Sequence, residues 1–180
     1  MDDLVMLKII VEEWCNDKSN LFCCLVDFRK AFDTVPRNNL WNKLEKLKAP
    51  FELRAASIRL YENIIAKLKI NEGWSKDTKC NIRVKQGFPL SPTLFGIYID
   101  KLEGCLEEAR CVGTILAGIV IILLLYANDI VLLTMCPSDL DKQLILLKDF
   151  CSTMGMIVNT DKTKVILSNS RRTLTLTLKF

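Results

Sequence analysis

Hydrophobic positions along this chain switch between helical and strand-like spacing. Leu4, Leu7, Val11 and Trp14 recur at helical intervals and predict an amphipathic helix over residues 3–16, broken by the polar stretch 16–20. Residues 22–26 are instead wholly apolar and of strand length, and the run stops abruptly at Asp27. A buried strand with a carboxylate at its mouth is expected there. Past Thr34-Val35-Pro36, a helix starting near Asn38 would bury Leu40, Leu44 and Leu47 and stop before Pro50, since proline disfavours helix at the residue before it. A further helix puts Leu53, Ala56, Leu60 and Ile64 in register. The polar segment 71–81, with Gly73, predicts a surface hairpin leading into a strand over residues 82–84.

Ser91 as N-cap and Pro92 as first helical residue predict a helix burying Leu94, Tyr98, Leu102 and Cys105. Ser138 and Asp141 have capping-box spacing, and Leu140, Leu144, Leu147 and Cys151 form an apolar stripe that Gly155 ends. Residues 165–167 and the alternating Thr/Leu run 173–178 read as strands. The stretch 111–127 is nearly as long and apolar as a membrane helix. Asn128-Asp129 and a second apolar run, 130–133, follow at once, and two β-branched runs around a polar break predict a buried hairpin rather than a membrane span. Helices and strands mix without strict βαβ alternation, so the fold class is α+β with an antiparallel-rich sheet.

Composition narrows the chemistry. At 180 residues and 20.6 kDa the chain fits one domain, and 50% hydrophobic with 26% charged residues excludes the disordered class. With no histidine, imidazole bases, hydrolase triads and Cys-His zinc fingers are excluded. The eight cysteines show no C-x-x-C spacing and no secretory signal opens the chain. They read as small buried hydrophobes of a reduced, intracellular, non-secreted protein, nuclear or cytoplasmic. A net charge of +4 permits a polyanionic partner without requiring one.

Two acidic positions stand out. Asp129 lies between apolar runs and Asp27 ends one, and a buried carboxylate without a partner is costly. Were the two to converge, they would suit a hard divalent ion such as magnesium. The alternative, that Asn128-Asp129 is only a hairpin turn, stays open on spacing alone.

The order of the motifs adds to this. Leu25-Val26-Asp27-Phe28-Arg29-Lys30-Ala31-Phe32-Asp33-Thr34-Val35-Pro36, Val84-Lys85-Gln86-Gly87-Phe88-Pro89-Leu90-Ser91-Pro92-Thr93-Leu94-Phe95, Leu125-Tyr126-Ala127-Asn128-Asp129-Ile130-Val131 and Gly155-Met156-Ile157-Val158-Asn159-Thr160-Asp161-Lys162-Thr163-Lys164 together resemble the reverse transcriptase domain of non-LTR (LINE-like) retrotransposons. The resemblance covers nearly the whole chain. It implies a polymerase palm, an antiparallel sheet with packed helices, carrying partial fingers. Carboxylates there would surround two magnesium ions, and a primer 3′-hydroxyl would attack the α-phosphate of a dNTP on an RNA template. In that pattern Asp27 and Asp129 match metal-binding aspartates. Phe32 matches the bulky residue beside the nucleotide sugar, with core packing as its alternative. Gln86 and Gly87 match the nucleotide and template contact. Phe88 stands where the family often has cysteine. Lys162 matches the lysine that protonates pyrophosphate or lines the triphosphate path. Asp33 is a supporting residue of the first motif, and Arg29, Lys30 and Lys85 are candidates for phosphate contact.

Asn128 is the main departure from the family's Tyr-Ala-Asp-Asp. It removes one full negative charge from a site that needs about three carboxylates, so an inactive or very weak enzyme is expected. Residues 1–180 would be a domain fragment, with outer fingers, thumb, endonuclease and zinc knuckle absent. The sequence is compatible with an impaired RNA-directed DNA polymerase domain, an inactive retrotransposon remnant that binds nucleic acid or a protein partner, and a membrane hairpin using residues 111–133.

Overall fold

A computed structural model describes residues 5, 8–10, 12–13, 20–62, 65–67, 69–70, 73–79, 84–85, 87–168 and 173–177. In chain order its elements begin with β1 (Leu21–Val26), the one-turn α1 (Ala31–Thr34), α2 (Arg37–Lys46) and α3 (Phe51–Tyr61). The short strands β2 (Ile65–Ala66), β3 (Lys69–Ile70), β4 (Gly73–Trp74) and β5 (Thr78–Lys79) follow, then α4 (Ser91–Ile99) and α5 (Lys101–Glu108). Strands β6 (Thr114–Leu116), β7 (Ile119–Ile121), β8 (Leu123–Tyr126) and β9 (Asp129–Thr134) precede α6 (Pro137–Met154), β10 (Lys164–Ser168) and β11 (Thr173–Thr177). The chain divides into two compact units, residues 1–31 with 99–180, and residues 32–98.

The first unit is built on a five-stranded antiparallel sheet in the order β11-β10-β1-β9-β8. The apolar run that ends at Asp27 is its central strand, buried at Leu21, Cys23, Cys24 and Val26. On one face Leu21, Cys23 and Leu133 pack with Ile10, and Leu116, Ile121, Leu124, Val131 and Ile166 close over them. Helix α6 packs against β9 and β1 and buries the stripe Leu140, Leu144, Leu147 and Cys151 that its spacing predicts. It ends at Gly155, whose φ of +69° is the left-handed conformation glycine adopts most readily. Its N-cap is Cys136 with Pro137 inside the first turn, so the Ser138 capping box does not form.

The apolar stretch 111–127 is not one arm of a single hairpin. Ala117 and Gly118, both at positive φ, turn β6 into β7 as a separate two-stranded ribbon, and β8 pairs with β9 across Ala127-Asn128. Only one face of the ribbon is covered: Leu116 and Ile121 pack on the core, while Ile115, Ile119 and Val120 are more than half exposed. Among the described residues no helix is long and apolar enough to cross a membrane.

In the second unit α2 buries Leu40 and Leu44, but Leu47 is the C-cap and is exposed. The face expected for α3 is rotated: Leu53, Ala56 and Leu60 are exposed, and Ser57 and Tyr61 are the buried pair. Tyr61 wins because its ring is covered on several sides by unit-two side chains. Leu94 and Tyr98 of α4 are buried as expected; in the first unit Leu102 of α5 is buried as well, whereas Cys105 is exposed. The surface hairpin starts earlier than expected, at Ile65, as two nested pairs, β2 with β5 and β3 with β4. Leu4, Leu7, Val11, Trp14, Ile64, the strand expected over 82–84 apart from Val84, and Leu178 lie outside the described residues.

Candidate active site

Strands β1 and β9 pair with Phe22 opposite Thr134 and, at the other end, Val26 opposite Ile130. The next residues are Asp27 and Asp129, so the same register brings both acids to one end of two adjacent strands. Residues directly across an antiparallel pair share a face of the sheet. Asp129 opens β9 opposite Tyr126, and the two-residue turn Ala127-Asn128 joins the strands, with Ala127 at φ +54°. Asn128 Nδ2 donates to Asp129 Oδ1 at 3.4 Å, so the residue in the first aspartate's place turns an amide N–H, not an oxygen, toward its neighbour's carboxylate.

On its other side β1 is held by the segment that follows α6. Lys164 pairs with Leu25, and beyond it Thr160–Lys162 loop out before pairing resumes at Val158 with Phe28. Within this bulge Asn159 N–H donates to Asp27 O at 2.7 Å, and Arg29 N–H donates to Ile157 O at 2.8 Å. Asn159 Nδ2 donates to Asp27 Oδ2 at 2.8 Å, and Asp27 N–H donates to the Thr163 hydroxyl at 3.2 Å. Asp27 is half-buried and Thr163 is fully buried, while Lys162 stands exposed on the bulge. Asp27, Asn128, Asp129 and Lys162 thus belong to one unit, with the acids at one sheet end and Lys162 on the loop that grips Asp27. In the sequence Asn159 and Thr163 stand only as parts of the fourth motif. Nothing in the sequence announces their bonds to a residue more than a hundred positions away.

The phosphate-contact candidates are engaged otherwise. Arg29 Nη2 lies 3.4 Å from Asp161 Oδ2 in an exposed ion pair of small energetic weight. Lys85 Nζ donates to Leu60 O at 3.0 Å and sits 5.7 Å from the Tyr61 ring centre and 5.1 Å from that of Phe88. Its charge thereby caps the C-terminus of α3, where cations are favoured. Lys30 is exposed with φ +53°, and Asp33 is half-buried in α1.

The remaining candidates lie in the second unit. Phe32 is half-buried, its ring edge-on to Phe95 at 5.5 Å, which is the packing its alternative reading describes. Gly87 has φ +80° in a turn closed by Phe88 N–H donating to Lys85 O at 3.2 Å. Gln86 lies outside the described residues. Ser91 does not serve as the expected side-chain N-cap: its hydroxyl bonds Lys85 O and lies 3.0 Å from Tyr61 Oη. Tyr61, which no motif marks in the sequence, is the hub here. Arg37 Nη1 donates to its carbonyl at 2.8 Å, and Trp41 and Phe88 meet its ring edge-on.

As a cation site the donor set is short. Two carboxylates offer hard oxygens, one of which is taken by Asn159, and Asn128 turns its Nδ2 toward Asp129 and has only a neutral carbonyl oxygen to offer in place of a carboxylate. Among the described residues no cluster of three or more acidic or thiol groups is placed to hold a metal. Two carboxylates on adjacent strands are hard-oxygen donors of the kind a divalent ion takes, and they fall short of the set that two ions need.

A family model for reverse transcriptase (RNA-dependent DNA polymerase) matches residues 3–178. Among curated proteins, the chain is 28% identical over 139 residues to the retrovirus-related Pol polyprotein from the type-1 retrotransposable element R2 of Nasonia vitripennis, across 77% of this chain and 13% of the relative. It is 26% identical over 162 residues to the corresponding polyprotein from the type-2 retrotransposable element R2DM of Drosophila melanogaster, across 89% of this chain and 15% of the relative. The chain therefore spans only about a seventh of the length of these relatives. Among solved structures, an apo telomerase from Candida tropicalis, truncated from its C-terminal domain, superposes with a TM-score of 0.57 at 18% identity, over 93% of this chain and 39% of that one. That likeness establishes a palm-type α+β fold.

Proposed function

The chain belongs to the reverse transcriptase (RNA-dependent DNA polymerase) family, and from that premise we propose that it is the palm region of an RNA-directed DNA polymerase from an R2-like, non-LTR retrotransposable element, with its nucleotidyl transfer impaired. The observation that carries this reading is the β1–β9 register, which brings Asp27 and Asp129 to one end of the sheet. Those two carboxylates would hold magnesium, which when bound supplies positive charge to the attacking and leaving oxygens of phosphoryl transfer. The chain's own residues have separable tasks. Asn159 orients Asp27, Lys162 Nζ stands ready to give a proton to departing pyrophosphate, and the positive-φ turn at Gly87 lets backbone approach a nucleotide or template closely. Phe32 would disfavour a 2′-hydroxyl on the incoming sugar. RNA template, DNA primer and dNTP are the partners this assigns.

Asn128 is the cause of impairment, and it also favours a second reading, a remnant that binds nucleic acid without extending it. Primer extension with magnesium, a DNA primer and an RNA template separates the two. The chain as it stands should extend poorly, and Asn128→Asp should raise incorporation about a hundredfold or more. Equal extension by both would refute the impairment. Template-primer binding without synthesis by Asn128→Asp would favour the remnant, and neither binding nor synthesis would overturn the polymerase reading.

A further inference from the structure

We infer that Asn159 is a positioning residue for Asp27, and that the bulge 159–163 exists to fix that carboxylate and Lys162 as one unit. The inference rests on the polymerase reading of the site. A strand-end aspartate ordinarily rotates about two side-chain bonds, and a cation binding to it must stop that rotation. Here three hydrogen bonds converge on one residue: Asn159 N–H to Asp27 O at 2.7 Å, Asp27 N–H to Thr163 Oγ1 at 3.2 Å, and Asn159 Nδ2 to Asp27 Oδ2 at 2.8 Å. The first two fix the backbone. The third is a charge-assisted bond that selects the side-chain rotamer and leaves the second carboxylate oxygen for a cation.

The clamp is itself braced. Thr163 N–H and Lys162 N–H both donate to Asn159 O, at 2.9 and 3.1 Å, which closes a tight turn with Thr163 fully buried at its base. Lys162 rides on this turn, so the same atoms that set Asp27 also set the stem of the one exposed lysine of the bulge. Asn159→Ala keeps the backbone N–H and C=O and removes only the amide donor, which makes the side chain's contribution separately measurable. Groups that orient a metal-binding residue typically change cation affinity by 10–100-fold when removed.

The test is Mn²⁺ binding to the full chain, followed by electron paramagnetic resonance, with no polymerisation required. It is run in the Asn128→Asp background, where the donor set is fuller. Asn159→Ala should weaken Mn²⁺ binding by about 10–100-fold, Asp27→Asn should abolish it, and adding Asn159→Ala to Asp27→Asn should change nothing further. Thr163→Ser, which keeps the hydroxyl, should bind as the parent does. Should Asn159→Ala melt below the assay temperature, Asn159→Leu, close to asparagine in size and without a donor, takes its place with the same expectation. Parent-like binding by the Asn159 variant, while Asp27→Asn fails to bind, overturns the positioning role and leaves the polymerase reading standing. Parent-like binding by Asp27→Asn overturns the metal reading beneath it.

Discussion

Ala127 holds φ at +54° in the turn between β8 and β9, a region where a side chain's Cβ crowds its own backbone. Two-residue hairpins of this kind favour glycine there. Ala127→Gly should therefore raise stability by about 1 kcal/mol, after offsetting the extra freedom glycine has when unfolded. A higher urea midpoint with an unchanged slope would report it, and no change would mean the turn is unstrained. Individual residues were legible where their surroundings in sequence were extreme: Asp27 broke an apolar run, and Asn128 broke a motif. Tyr61 and Asn159 were not, because each matters through partners distant in sequence. Tyr61 collects Arg37, Trp41, Lys85 and Phe88, and Asn159 reaches back to Asp27 across 132 positions.

Elements were most legible where one apolar stripe meets one large surface. The stripe of α6 can be read from its spacing because it covers the sheet, whereas the spacing on α3 points to the wrong face. On α3, leucine spacing pointed to Leu53 and Leu60, yet the buried side is made of a small serine and a tyrosine whose ring is covered by cations and aromatics. The ribbon β6–β7 is hidden in the sequence for a different reason. An unbroken apolar run hides its turns, and only Gly113 and Gly118 mark them. A Cβ on Gly113 would lie 2.3 Å from Ile121 O and 2.9 Å from Ile122 Cα, all backbone atoms that cannot swing aside. Gly113→Ala should cost about 1–3 kcal/mol or more by forcing β7 off this close approach. A drop in thermal midpoint with loss of hydrogen-exchange protection across residues 114–121 would show it, and an unaffected ribbon would refute the close packing.

At the level of the molecule, the thiols expected to be buried largely are, among the described residues. Burial raises the thiols of Cys23, Cys24 and Cys151 from the ordinary 9.0 to about 12, with the neighbouring Cys23 adding to the effect at Cys24. A folded-state value above the unfolded one means the unfolded chain loses protons first. Stability is then complete below pH 9 and declines from there toward pH 12, by up to about 1.4 kcal/mol per pH unit for each thiol. Urea unfolding at pH 8 and pH 10 should show the decline, and Cys24→Ala should make it shallower even though it lowers stability at both. The sheet itself was legible only as a class. Its strand order was not, because β1 pairs on both sides with segments that come a hundred or more residues later. That arrangement has a consequence for biosynthesis. The strand that leads into Asp27 has no sheet neighbour until more than a hundred further residues have been made, so its contact order is high and its folding slow. The clamp on Asp27 can close only in a polypeptide that already includes Asn159 and Thr163, and a nascent chain cut short before them would carry the acid but nothing to aim it.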